Sequence, residues 1–337
     1  MGKRITIKDV ANEAGVSVTT VSFVLNGKAD GVPTATRERI VAVAKKLRYT
    51  PNYTARSLVT GRTKTIGIIV PSITNFFFAE LVRLLQKKFA EYGYDILLSN
   101  NEERAENDLK YIEFLSGRNI DGLILTPGAQ SLLPENTEKL KDALGKLTIP
   151  FLFLDRYIRE YSHVSIDNHA GGYQTADYLL SRGHTKIGVV TGPRQLNSSY
   201  NRLEGFRRRL EEAGVCFAEK LIYEGQYDIE TGEAAAEYFL KTDVTAIVAF
   251  SDMQAYGIYK KLKEEGKRVP EDLSIVGFDD NVYSSLLDKP LTTMRQPLEA
   301  LACASVQAML DRIQGKEFSP PEKVTATLIE RESVKRL

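Results

Sequence analysis

The sequence has no tryptophan, three histidines and two cysteines in 337 residues. Cys216 and Cys303 are far apart, with no Cys or His close by. That argues against a zinc site and a disulfide framework, fits a reducing cytoplasm, and reads both as small buried hydrophobes. His163, His169 and His184 lack metal-ligand spacing, so no metal is expected. No apolar run approaches the roughly 18–20 residues that cross a bilayer, so no membrane partner is expected. The longest runs, residues 66–71 and 149–154, are strand-sized. The N-terminus turns polar at once, which predicts no signal peptide. There is no P-loop, no G-x-S-x-G elbow and no H-E-x-x-H, so neither an enzyme nor a cofactor is expected.

What is present is ordinary for a globular protein: 43% hydrophobic and 26% charged residues. The length predicts two or three domains. The formal net charge of +1 hides an asymmetry. Residues 1–64 carry 12 basic and four acidic side chains, or +8; the remainder carries 33 basic and 40 acidic, or −7. A basic head on an acidic body points to a polyanion-binding module joined to something else.

Within the head, Thr6 is placed to cap a helix over residues 7–14. There Ile7, Val10, Ala11 and Ala14 form one apolar stripe, and Gly15 ends it. Ser17 is placed to cap a second helix over 18–25, with Val21, Val24 and Leu25 facing back. A third amphipathic stretch runs from about 34 to 48. Two short helices joined by a glycine turn and braced by a third make a helix-turn-helix, whose second helix enters the DNA major groove.

Beyond residue 66, short apolar strands alternate with helical stretches such as 77–92 and 199–213. Strands are expected near 66–70, 96–99, 122–125, 151–154, 164–166, 187–190, 221–223, 247–250 and 274–278. Continuous apolar strands with helical crossovers predict parallel sheets covered on both faces, in two similar lobes. Ligands then bind beyond the carboxyl ends of the strands.

The head resembles the lactose-repressor/galactose-repressor (LacI/GalR) family of bacterial transcription regulators. The likeness rests on Asp9-Val10-Ala11, Ala14-Gly15-Val16-Ser17, Thr20-Val21-Ser22 and Val24-Leu25-Asn26-Gly27, and continues through Thr36-Arg37, Tyr49, Pro51-Asn52, Ala55-Arg56 and Leu58. The body resembles the same family's effector domain, itself similar to periplasmic sugar-binding proteins. It does so through Asn75-Phe76-Phe77, Leu154-Asp155-Arg156, Asp167-Asn168, Gly171-Gly172, Arg202, Gly205-Phe206, Ser251-Asp252 and Gly277-Phe278-Asp279-Asp280.

The resemblance implies a helix-turn-helix head at 1–50, a hinge helix and linker at 51–61, and an effector-binding and dimerisation domain at 62–337. Lobe one would be 62–161 with 292–320, and lobe two 162–290 with 321–337. Crossings would fall near 161–163, 290–294 and 318–321. Val18, Thr19 and Phe23 would reach base edges, while Thr6, Ser17, Thr20, Ser22, Asn26 and Thr36 would position the head on phosphates. Ser17 could equally serve as a local cap. The family usually carries Arg where Phe23 stands. Phe23 therefore implies apolar contact in place of a guanine contact, unless it packs on its own domain. In the hinge, Asn52, Ala55 and Arg56 would lie at the minor groove with Leu58 as a wedge, unless Leu58 is covered by the body.

The implied effector set is Asn75, Phe76, Phe77, Asp155, Arg202, Ser251, Asp252 and Asp279, a chemistry suited to a sugar. Alternatives are helix capping by Asp279 and Asp280, and pairing of Arg202 with Glu204 or Asp228. Ser251 stands where many relatives carry Asn. The expected function is a cytoplasmic regulator, a repressor of carbohydrate-utilisation genes. It would bind a near-palindromic operator as a homodimer under control of a small-molecule effector. Alternatives are control by a phosphocarrier protein, and a sugar receptor without DNA function.

Overall fold

The computed structural model describes residues 5–25, 29, 31–49, 61–319 and 324–337. The chain divides into two compact units, residues 1–63 and 64–337.

In the first unit α1 (Ile7–Ala14), α2 (Val18–Leu25) and α3 (Thr34–Lys46) enclose one small core. Val10, Ala11, Ala14, Val21, Ile40 and Ala44 fill it. The Asp9 carboxylate accepts from Thr6 N and Thr6 Oγ1, both at 2.7 Å, which satisfies free groups at the start of α1. Gly15 takes the left-handed conformation at φ 64°, so that Val16 N reaches back to the Ala11 carbonyl at 3.1 Å. Ser17 Oγ accepts from Thr20 N at 3.1 Å and starts α2.

The second unit holds two sheets. The first is ordered β2 (Asp95–Asn100), β1 (Thr65–Val70), β3 (Gly122–Leu125), β4 (Phe151–Leu154), β5 (His163–Val164), all parallel. Alternation along β1 supplies both faces. Ile66, Ile68 and Val70 pack under α4 (Phe76–Glu91) and α11 (Leu298–Ile313). Ile69 packs under α5 (Ala105–Ser116) and α6 (Pro134–Gly145).

The second sheet is ordered β11 (Thr327–Ile329), β10 (Thr292–Arg295), β9 (Ser274–Asp279), β8 (Ala246–Ala249), β6 (Ile187–Thr191), β7 (Ile222–Glu224). Only β11 runs antiparallel to its neighbour. Val189, Val248 and Val276 face α7 (Asn168–Ser181) and α8 (Asn197–Glu212). Val190, Ile247 and Ile275 face α9 (Ile229–Phe239) and α10 (Asp252–Glu264).

In each sheet the strand order reverses beside the first strand to enter it, and both reversals open on the strands' carboxyl ends. The strands β10 and β11 escape the sequence reading, being short and half polar. Since β5 pairs with β4 and β10 with β9, the chain changes lobe only after Val164 and after Arg295, later than expected. The third expected crossing lies partly outside the described residues. Both cysteines are exposed, against their reading as buried hydrophobes.

The approach of α7 to α8 depends on two glycines. A Cβ on Gly172 would stand 1.9 Å from the Arg202 carbonyl oxygen, and one on Gly205 2.0 Å from that of His169. Backbone cannot yield as a flexible side chain does. Gly205→Ala should therefore cost about 1–3 kcal/mol of unfolding free energy and lower the body's melting temperature. An unchanged melting curve would show that the helices are not this close.

Candidate functional site

On the head, Val18 is 39% and Phe23 49% exposed, with Thr19 exposed beside them. Thr19 and Phe23 stand four residues apart, on one side of α2. Phe23 lies outside the head's core, so packing on its own domain does not account for it. Thr6 is exposed, while Thr20, Ser22 and Thr36 are half-buried. Ser17 combines an exposed position with the capping bond to Thr20. The expected contacts Asn26, Asn52, Ala55, Arg56 and Leu58 lie outside the described residues.

In the body, a cleft of at most about 290 Å³, open solvent at its mouth included, lies at the strands' carboxyl ends. Six expected residues line it: Asn75, Phe77, Asp155, Arg202, Ser251 and Asp279. Asn75 caps α4, accepting from Phe77 N at 3.0 Å, so the helix begins at Phe76 and Phe77 turns inward. Asp155 follows β4 at φ 65° and is 4% exposed. Arg202, also 4% exposed, donates from Nε to Asn168 Oδ1 at 2.7 Å and from Nη1 to the Phe250 carbonyl at 2.5 Å. Its guanidinium lies 3.6 Å from the centre of the Phe278 ring. Neither proposed structural partner holds it: Glu204 stands by Arg207, and Asp228 caps α9. Ser251 caps α10, accepting from Gln254 N at 3.2 Å.

Two expected residues are not on the cleft. The Phe76 ring is half-buried against Tyr283, centroids 4.7 Å apart. It precedes Phe77 by about 100° of helix, which turns it away. Asp252 is fully buried behind Asp279. Its carboxylate accepts from Thr293 Oγ1 at 2.6 Å, Ser284 Oγ at 2.5 Å and Asn281 N at 3.1 Å. Asp280 caps no helix: it pairs with Arg295 and Arg331, and Asn281 caps the following turn, whereas the Asp279 carboxyl accepts from Asp252 N, the first residue of α10, at 3.4 Å.

Six lining residues were missed: Phe78, Arg156, Ser198, Tyr227, Phe250 and Gln296. Arg156 had a signal in its neighbour Asp155. Gln296 had none, because it follows the unrecognised β10. Arg156 is 1% exposed and meets Glu103 through Nη1 at 2.6 Å and Nη2 at 3.0 Å.

Burial pushes the Asp155 carboxyl up, against the opposing charges of Arg156 and Arg202. Burial and the Asp252 charge push Asp279 up to about 8, with Arg202 opposing. Asp155 Oδ1, Arg156 Nε and Gln296 Oε1 are buried and find no partner among the described residues. Unmet groups of this kind cost about 1–3 kcal/mol each, and three of them gathered at one cleft make it the candidate binding site.

The model for bacterial regulatory proteins of the lacI family matches residues 6–52, and a periplasmic binding protein-like domain matches 176–334. The HTH-type transcriptional repressor PurR of Vibrio cholerae serotype O1 is 35% identical over 339 residues, 98% of this chain and 98% of that one. This chain belongs to the LacI family.

Among solved structures, the lac repressor dimer bound to operator and the anti-inducer ONPF matches with a TM-score of 0.87 at 26% identity, covering 99% of this chain and 100% of that one. The transcriptional regulator CelR–cellobiose complex matches at 0.73 and 31% identity, covering 98% and 100%. As a LacI-family member the chain is a DNA-binding transcriptional regulator, with an N-terminal helix-turn-helix region and an effector-binding body.

Because Asp279 holds its proton more tightly folded than unfolded, its stabilising contribution is full at low pH and is lost as pH rises through about 8. Asp279→Asn removes that loss. The variant's melting temperature should fall less than the parent's between about pH 6 and pH 9. Parallel curves would place Asp279 in solvent or in a permanent ion pair.

Proposed function

We propose that the chain is a repressor of carbohydrate-utilisation genes. It binds a near-palindromic operator as a homodimer, and a sugar or sugar-like effector in the cleft controls it. Two-fold symmetry brings two heads to two half-sites. The observation that carries the effector reading is the cleft's chemistry. Two carboxylates, two guanidiniums and the Ser198 and Ser251 hydroxyls meet the rings of Phe77, Phe78, Phe250 and Tyr227. That pattern suits vicinal hydroxyls above and C–H faces below. The likeness to CelR, whose structure holds cellobiose, supports the same class.

We read the carboxyl groups as hydrogen-bond partners for hydroxyls, without turnover, in a protein working beside DNA in the cytoplasm. The effector shifts the DNA-binding equilibrium only by its differential affinity for the two states. In the hinge, Leu58 is assigned the minor-groove wedge, with Ala55 beside it, Arg56 near the DNA backbone and Asn52 as a further contact.

Thermal-shift screening of the full chain against neutral mono- and disaccharides, nucleobases and a phosphocarrier protein tests the effector class. A sugar at about 100 times its Kd should add about 2.7 kcal/mol of apparent stability. A shift with nucleobases or the phosphocarrier alone overturns the sugar reading.

At the DNA, Val18, Thr19 and Phe23 present apolar groups and one hydroxyl, which suits a thymine methyl. Selection from random duplexes should return half-sites without a guanine opposite Phe23. Phe23→Arg should introduce one, with discrimination of about 1–3 kcal/mol. A strong guanine that survives Phe23→Ala would refute this role.

A further inference from the structure

The hydrogen bonds behind the cleft lead to a contact that joins the lobes. Asp279, on the cleft, accepts from Asp252 N at 3.4 Å. The Asp252 carboxylate accepts from Asn281 N at 3.1 Å, and Asn281 Oδ1 accepts from Tyr283 N at 2.9 Å. The turn Val282–Ser285 is thus bolted to the cleft's carboxylate wall. From this turn the Tyr283 ring meets Phe76 of the first lobe, centroids 4.7 Å apart and planes tilted by 49°. Phe76 follows Asn75, the cleft residue that caps α4. Each ring of the pair is therefore tied within a few bonds to a group that lines the cleft, one on each lobe. Polar contacts among the described residues also join the lobes, including Tyr157 N to Asn197 Oδ1 at 3.0 Å, Gln195 Nε2 to the Ala129 carbonyl at 3.4 Å, and, just past the crossing, Gln296 Nε2 to Asp279 Oδ1 at 2.5 Å.

We propose that Phe76 and Tyr283 form a clasp that holds the lobes closed, with Asp252 as the positioning residue that couples it to the cleft. The clasp rests on the cleft being the effector site, and does not require the effector to be a sugar. Asp252, buried and saturated with donors, then has its role one step behind the ligand. Tyr283 is 46% exposed, so its core neighbours do not demand the ring. The ring pair exists only while the lobes are together, so its attraction bears on the open-to-closed ratio.

The test needs no ligand. Cys216 and Cys303 are exposed, one on each lobe, and take a donor and an acceptor dye in the full-length protein. Single-molecule energy transfer then reads the two populations. Phe76→Ala and Tyr283→Ala should each shift the ratio toward the open form by about three- to tenfold. The double variant should shift it no further than the larger single, because both remove one contact. Tyr283→Phe, which keeps the ring, should match the parent. Melting curves check that each variant is folded, and Phe76→Leu replaces Phe76→Ala if that variant is not. Unchanged distributions in the Phe76 and Tyr283→Ala variants, or additive shifts in the double, overturn the clasp. A clasp that behaves as expected beside a failed sugar screen would reject only the effector class.

Discussion

A guanidinium taken almost wholly out of water must meet acceptors and counter-charges on nearly every side, and the body is arranged around one such group. Arg202 comes from α8 and is held by the Asn168 amide, the Phe250 carbonyl and the face of Phe278. Those three partners belong to different elements of the second lobe. Their convergence requires α8 to press against α7, and Gly172 and Gly205 permit this. Once placed, the cation lowers the cost of burying Asp155 on the first lobe and Asp279 on the second. Without it the two acids would share a low-dielectric cleft with only Arg156 to offset them.

The same division appears at larger scale in the charge of the chain. A +8 segment neutralises phosphates and releases counterions, so its affinity for DNA falls steeply with salt. The −7 remainder is repelled by the same phosphates. Net charge near zero is thus the sum of two parts with opposite tasks. The body's acids are not spread evenly: Asp252, Asp279 and Asp280 gather in a layer behind and beside the cleft, each with its own donors. That layer makes the wall of the cleft rigid and connects it to Tyr283.

Much of this was legible in the chain, and what was legible has local causes. The apolar stripe of α1, the Gly15 stop and the Ser17 cap are set by residues within one or two turns of each other. So is the βα rhythm that gives two parallel sheets, since a strand buried on both faces shows itself as an apolar run. The six expected residues that line the cleft came from the family resemblance, and three of them, Asp155, Ser251 and Asp279, end or follow strands at the side where fold geometry sends ligands.

What tertiary structure decided was orientation and partnership over long separations. Three consecutive phenylalanines look alike in sequence. Only the cap at Asn75 and the helix phase send Phe77 and Phe78 to the cleft and Phe76 to the opposite lobe. Adjacent polar residues differ in the same way: Ser251 caps α10 at the cleft, while Asp252 is captured by Thr293, Ser284 and Asn281 from 29 to 41 positions away. Gln296 and the short strand before it carried no periodic signal, because β10 is held by its neighbours in the sheet and not by a run of apolar residues. The sequence by itself determined most of the elements, the charge division and the end of the sheets where chemistry gathers. Which side chains meet there was decided by packing, because a side chain's direction depends on helix phase and on partners that only the folded chain brings near.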